Sequence, residues 1–127
     1  MLMLCTTDGS HQSLHVLPHA AAFARAAGME IALARVYEEG EGWPDHDVRR
    51  EALHAALAEC GAGGRVIEEG RGTGESTAGA IARAAANAGA TMIAMDTRGV
   101  GAIRHAIAGS TAIDVLRGSR LPVFVTG

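Results

Sequence analysis

Short apolar runs alternate with alanine-rich helical stretches along this whole chain, and glycines stand at most of the boundaries. That order constrains the fold more than any single residue does. Residues 2–7 read as a first strand, closed by the turn cluster Asp8-Gly9-Ser10. A helix over 12–27 follows, with Leu14, Leu17, Ala21, Ala24 and Ala27 near helical spacing, Pro18 tolerated in its first turns and Gly28 as its cap. Glu30 to Tyr37 is a second strand. Gly40, Gly42 and Pro44 mark a loop, and Asp45 and Asp47 suit the start of a helix over 45–60. Arg65 to Glu69 is a third strand, at an edge, and Gly70 to Gly74 a flexible loop. Glu75 to Asn87 is a third helix, ended by Gly89. Thr91 to Met95 is continuously apolar, the mark of a strand buried on both faces. Ser110 to Arg117 is the last helix and Leu121 to Val125 the last strand. This alternation predicts an α/β fold: an open five-stranded parallel sheet, order 3-2-1-4-5, with right-handed crossovers and helices on both faces.

At 127 residues the chain is long enough to bury one core, so residues 1–127 are expected to form a single domain. The net charge of −3 implies no general attraction to nucleic acid. Aromatic residues make up only 3%, which argues against base stacking on an aromatic platform. All eleven basic residues are arginine, so Schiff-base chemistry and a lysine phosphate clamp are excluded. Cys5 and Cys60 lie far apart in apolar contexts and read as core thiols rather than a disulfide framework. Met1 to Cys5 is too short for a signal peptide, and no apolar stretch is long enough to span a bilayer. The cytoplasm is the expected compartment, with no membrane partner.

In a sheet of this kind ligands bind outside the carboxyl ends of the strands, where the strand order reverses. Two predicted strand ends carry ligand-like residues: Asp8 after the first, and Asp96 to Ser110 after the fourth. Gly99, Gly101 and Gly109 would let backbone approach a ligand, and N–H groups at the helix start of Ser110 and Thr111 attract anions. A phosphate cradle and a plain glycine turn with a serine cap are both compatible with this segment. Asp8 could accept hydrogen bonds from a nucleoside or cap the first helix. Arg98, Arg104 and His105 lie in the same loop. Gly70 to Thr77 looks like a P-loop but lacks the lysine. His11, His15 and His19 recur every four residues and read as a solvated helical face rather than a metal site. No nucleophile–base pair stands out, so catalysis is the weakest of the functional readings.

These residues together resemble a universal stress protein, nearly end to end. Asp8-Gly9-Ser10 and Ser13 resemble the family's opening turn, and Arg35-Val36-Tyr37 the end of its second strand. Ala88 to Met95 resembles the run into its fourth strand. Gly109-Ser110, Val115-Leu116-Arg117 and Leu121 to Val125 resemble its closing helix and strand, the most specific block. The resemblance implies a dimer formed through the Leu121–Val125 edge strand. Some members bind ATP and others do not; binders carry G-x-x-G, nine residues, then G-[ST]. On this chain that pattern falls on Asp96 to Gly99, Val100 to Ala108, then Gly109-Ser110. Aspartate replaces the first glycine. The resemblance would set Asp8 and Val36 at the adenosine, and Gly99, Gly109, Ser110 and Thr111 at the phosphates. A carboxylate about 4 Å from a phosphate would cost about 1–4 kcal/mol, one to three decades in affinity. Mg²⁺ or Mn²⁺ would offset that cost. Otherwise the chain binds no cofactor and serves as a nucleotide-free dimeric interaction protein. The Gly-x-Pro turn that often precedes the family's third helix is also missing, since Gly74-Glu75-Ser76-Thr77 has no proline.

Overall fold

The computed structural model describes residues 1–7, 13–37, 43–61, 63–96 and 110–126. Its five strands are β1 (Leu2–Thr7), β2 (Glu30–Tyr37), β3 (Gly64–Gly70), β4 (Met92–Asp96) and β5 (Val123–Thr126). The described residues also form four α-helices, α1 (Val16–Ala27), α2 (Trp43–Glu59), α3 (Thr77–Ala88) and α4 (Ser110–Gly118). The strands form one sheet in the order β3-β2-β1-β4-β5. Every neighbouring pair is parallel. This is the architecture the alternation predicts.

Side chains alternate across the sheet, because successive residues of a strand point to opposite faces. Met3, Cys5, Ile31, Leu33 and Ala94 meet Val16, Leu17, Ala20 and Ala24 of α1 and Leu53 and Leu57 of α2. Leu2, Leu4, Ala32, Ala34, Ile93 and Met95 meet Ile81, Ala84 and Ala85 of α3 and Val115 of α4. Two cores therefore sandwich the sheet, and β1, at its centre, is buried at every position. Alanine-rich helix faces suit this job, since small side chains let helices lie close on a twisted sheet.

Element ends depart from the sequence reading in ways that local chemistry explains. A 3₁₀ turn, Ser13–His15, precedes α1, so Pro18 is the third α-helical residue and costs no interior hydrogen bond. Gly28 closes α1 in the left-handed region at φ 69°, donating its N–H to the Ala24 and Arg25 carbonyls. Helix α2 begins at Trp43, two residues earlier than expected. Helix α3 begins at Thr77 rather than Glu75, because Ser76 is the cap and its Oγ accepts from the Gly79 N–H at 3.0 Å. Strand β5 begins at Val123 rather than Leu121. Proline has no N–H to give the ladder, and Ser119 Oγ holds Leu121 in a turn, accepting from its N–H and donating to its carbonyl, both at 2.9 Å. Cys5 is fully buried as expected, whereas Cys60, just past α2, is only partly so. No helix among the described residues is long and apolar enough to cross a membrane.

Candidate functional site

Strand order reverses between β1 and β4, so the carboxyl ends of these two strands bound the crevice where parallel sheets take ligands. Met3, Leu4 and Cys5 pair with Met92, Ile93 and Ala94. Thr7 and Asp96, the last residues of the two strands, each lie two positions past the Cys5–Ala94 pair. Thr7 also pairs with Arg35, Arg35 with Glu68, and Asp96 with Thr126. Paired residues of parallel strands share a face, so Glu68, Arg35, Thr7, Asp96 and Thr126 form a polar row across the whole sheet. It lies on the face covered by α1 and α2, beyond the apolar layer of Cys5, Leu33 and Ala94.

The row is buried. Arg35 is 1% exposed and Asp96 8%. Arg35 Nη1 lies 3.5 Å from Glu68 Oε2, and its guanidinium carbon 5.9 Å from the centre of the Tyr37 ring. Arg50 of α2 reaches the same carboxylate, its Nε donating to Glu68 Oε1 at 2.6 Å. Thr126 Oγ1 donates to Asp96 Oδ2 at 3.4 Å. Sequence reading passed over Arg35. The signal was present, since an arginine inside an apolar strand at a core-facing position needs a buried partner.

Val36 belongs to the opposite face, packed on the core under α3 and α4 and paired with Glu69. Beside it, Arg83 of α3 ties down the loop after β3. Its Nη1 donates to Glu69 Oε2 at 2.8 Å, its Nη2 to the Gly70 carbonyl at 2.7 Å and to Glu75 Oε1 at 2.9 Å, and its Nε to Glu75 Oε2 at 3.1 Å. The Gly72 N–H donates to Glu75 Oε1 at 3.0 Å. The loop expected to be flexible is thus anchored through an arginine fork. The hydrogen bonds from Arg83, then that from Gly72, hold the Glu75 carboxyl down at about 2. Glu75 is committed to this clamp, which is why it stays outside the helix.

Because β4 and β5 are parallel, α4 must run back along the sheet, starting near the carboxyl edge with Ser110 and then Thr111. Of the predicted ligand residues, Val36, Ser110 and Thr111 are therefore described at the carboxyl edge, together with Asp96. Asp8, Gly99 and Gly109 lie outside the described residues, as do His11, Arg98, Arg104 and His105. His15 and His19 are exposed on α1. Asp96 is found in a different setting from the one the sequence suggested. Its side chain belongs to the α1/α2 face, whereas Val36 belongs to the α3/α4 face.

A groove of about 270 Å³ between α3 and α4 is lined by Ser76, Gly79, Ile93, Asp114, Val115 and Ser119, among others. Its hydroxyls are already spent on capping α3 and on the turn before β5. It therefore offers a ligand few converging polar groups, and the strand-end crevice is the better candidate.

Comparison with known proteins agrees with the fold. The model of the universal stress protein family matches residues 2–127. No curated protein sequence matches the chain. Among solved structures, a universal stress protein from Archaeoglobus fulgidus is 24% identical, with a TM-score of 0.74 over 98% of this chain and 92% of that one. A member of the family from Burkholderia pseudomallei is 26% identical, with a TM-score of 0.67 over 98% and 94%. A universal stress protein in complex with cAMP is 21% identical, with a TM-score of 0.73 over 99% and 95%. With the family model spanning all but the first residue, the chain belongs to the universal stress protein family.

Proposed function

We propose that this chain binds an adenine nucleotide, ATP with Mg²⁺ or Mn²⁺ in the first instance, and acts as a cytoplasmic signalling or stress-tolerance module. In this reading residues 1–127 form one domain and work as a homodimer. The observation that carries it is the juxtaposition at the switch point: the ends of β1 and β4, Val36 on the neighbouring strand, and the start of α4 at Ser110 and Thr111. Backbone N–H groups at such a helix start favour phosphate oxygens. Asp8 and Val36 are the proposed adenosine contacts, and Gly99, Gly109, Ser110 and Thr111 the proposed phosphate contacts. Similar folds in complex with cAMP and with dAMP, the latter from Archaeoglobus fulgidus, lend the reading support. The proposed role is binding rather than turnover. Calorimetric titration of ATP with Mg²⁺ tests it: micromolar binding that is lost in Ser110→Glu is expected, and no heat from the wild-type protein would contradict it.

The homodimer is proposed to form through β5. This strand ends the sheet order, and Val125 on it is 38% exposed. The Phe23 ring of α1 lies 5.4 Å from that of Phe124, so apolar surface borders the edge. An uncovered apolar edge strand invites pairing with its own copy.

One observation favours a second reading. Asp96, a buried carboxylate, ends the strand beside the crevice. If its field reaches a bound phosphate, the protein is a nucleotide-free dimeric interaction module.

A further inference from the structure

We infer that Arg83 is a positioning residue for the nucleoside end of the proposed site, because it fixes the loop after β3 as a wall beside Val36. Gly70, the last residue of β3, and Ser76, the cap of α3, bound this loop at the carboxyl edge of the sheet. Val36 pairs with Glu69, so their side chains share the α3/α4 face. Val36 and Ala78, in the first turn of α3, pack against the same core. Whatever sets the start of α3 therefore sets the surroundings of Val36. The loop's own sequence would leave it loose, since Gly72 and Gly74 have wide backbone freedom and Gly74 stands at φ 75°. Two sets of bonds restrain it. On the β2 side the Arg71 N–H donates to the Tyr37 carbonyl at 2.9 Å. On the α3 side Arg83 donates to Glu69, to the Gly70 carbonyl and to both carboxylate oxygens of Glu75.

Spacing and side-chain size let one arginine do this. Gly79 and Arg83 stand four residues apart on α3, so they share one side of the helix. A β-carbon on Gly79 would come within 3.3 Å of Glu75 Cγ and 3.2 Å of Ser76 Oγ, so glycine keeps the way from Arg83 back to Glu75 open. The guanidinium has five donors in a planar fork, enough for two carboxylates and a carbonyl at once. Glu69 and Glu75 are only 21% and 25% exposed, which shelters these bonds from water. The clamp sets one positive charge against two negative ones. It therefore disfavours the phosphate end of a nucleotide and leaves Val36 to the uncharged nucleoside. Resting on the nucleotide reading above, Arg83 acts through the loop rather than by touching the ligand. A wall held in place before binding lowers the ordering cost of binding.

Trypsin cleavage of the folded, ligand-free protein at the Arg71–Gly72 bond, followed by mass spectrometry, tests the restraint. Arg83→Met is expected to be cut there at least about tenfold faster than the wild type, since cleavage follows the population of the opened loop. Leu57→Ala, in the core on the opposite face, is the control for plain loss of stability. It is expected to lower the urea midpoint at least as far, yet to change this cut by less than about twofold. Equal cleavage of the wild type and Arg83→Met would overturn the restraint. Should Arg83→Met fail to fold, Glu75→Gln is read in its place. Titration with adenosine and with ATP and Mg²⁺ then tests the positioning role. Arg83→Met is expected to weaken both ligands by the same factor, roughly fivefold, because both carry the nucleoside. Unchanged adenosine affinity in Arg83→Met, or an equal loss in Leu57→Ala, would overturn that role. If the wild type binds neither ligand, the nucleotide reading falls and the positioning role with it, while the trypsin cut still decides whether Arg83 holds the loop.

Discussion

At the scale of the residue, four side chains have fates set by their surroundings. Glu75 lies at about 2, below its ordinary 4.5, because the folded state gives its carboxylate the Arg83 fork and the Gly72 N–H. A depressed folded value means the ionised form is the one that folding favours. Its contribution is complete above pH 4.5 and drains away as the pH falls towards about 2. The urea midpoint of the wild type is therefore expected to fall through that window more steeply than that of Glu75→Gln. Parallel curves would deny the clamp a part in stability. Burial raises the Cys5 thiol to about 12, and Cys60 is also raised, chiefly by partial burial. Under native conditions at pH 8 a thiol reagent is expected to label Cys60 slowly and Cys5 only on unfolding. Mass spectrometry of the labelled protein reads this out; early labelling of Cys5 would mean that β1 opens. Arg35, the fourth, is buried against Glu68. Its importance was invisible in composition because register, not chain spacing, brings it to Thr7 and Glu68.

At the scale of the element, most of the fold is legible in the sequence. The strands and helices are short, their apolar periods are clear, and Gly28 and Gly89 stop α1 and α3 where the chain says they should. What was not legible is how side chains settle each boundary. Helix α3 starts after the Ser76 cap rather than at Glu75 because Arg83 and the Gly72 N–H had already claimed the glutamate. Strand β3 begins at Gly64, one residue earlier than its apolar run suggests. There a β-carbon would collide with the Ile31 carbonyl, so only glycine lets the chain enter the sheet against β2. Gly64→Ala should destabilise the protein by about 1–3 kcal/mol, since the obstacle is backbone and cannot rotate away. Chemical unfolding measures this, and a loss below experimental error would place the start of β3 elsewhere. The candidate site was only half legible. Val36, Ser110 and Thr111 stand at the predicted edge, but no periodicity announces that Asp96 and Val36 point to opposite faces until the end of β4 is fixed. Asp8, Gly99 and Gly109 fall outside the described residues, so their part remains a proposal.

At the scale of the whole molecule, two surfaces carry the proposed function: the β5 edge and the carboxyl end of the sheet. A charge on the edge should break a dimer built there without harming the core, because Val125 is exposed. Val125→Arg is expected to sediment as a monomer where the wild type sediments as a dimer; a wild-type monomer would remove the edge from the account. The carboxyl end carries the central claim, that the crevice between β1 and β4 accepts an adenine nucleotide because Asp96 is held on the other face. The sharpest single test is calorimetric titration of ATP with Mg²⁺ into the wild type and Asp96→Gly side by side. The account predicts micromolar binding by both, with affinities within about threefold, since a carboxylate on the α1/α2 face costs the ligand little. Binding by Asp96→Gly alone would contradict it, and would make the protein a nucleotide-free member of its family, closed by one carboxylate.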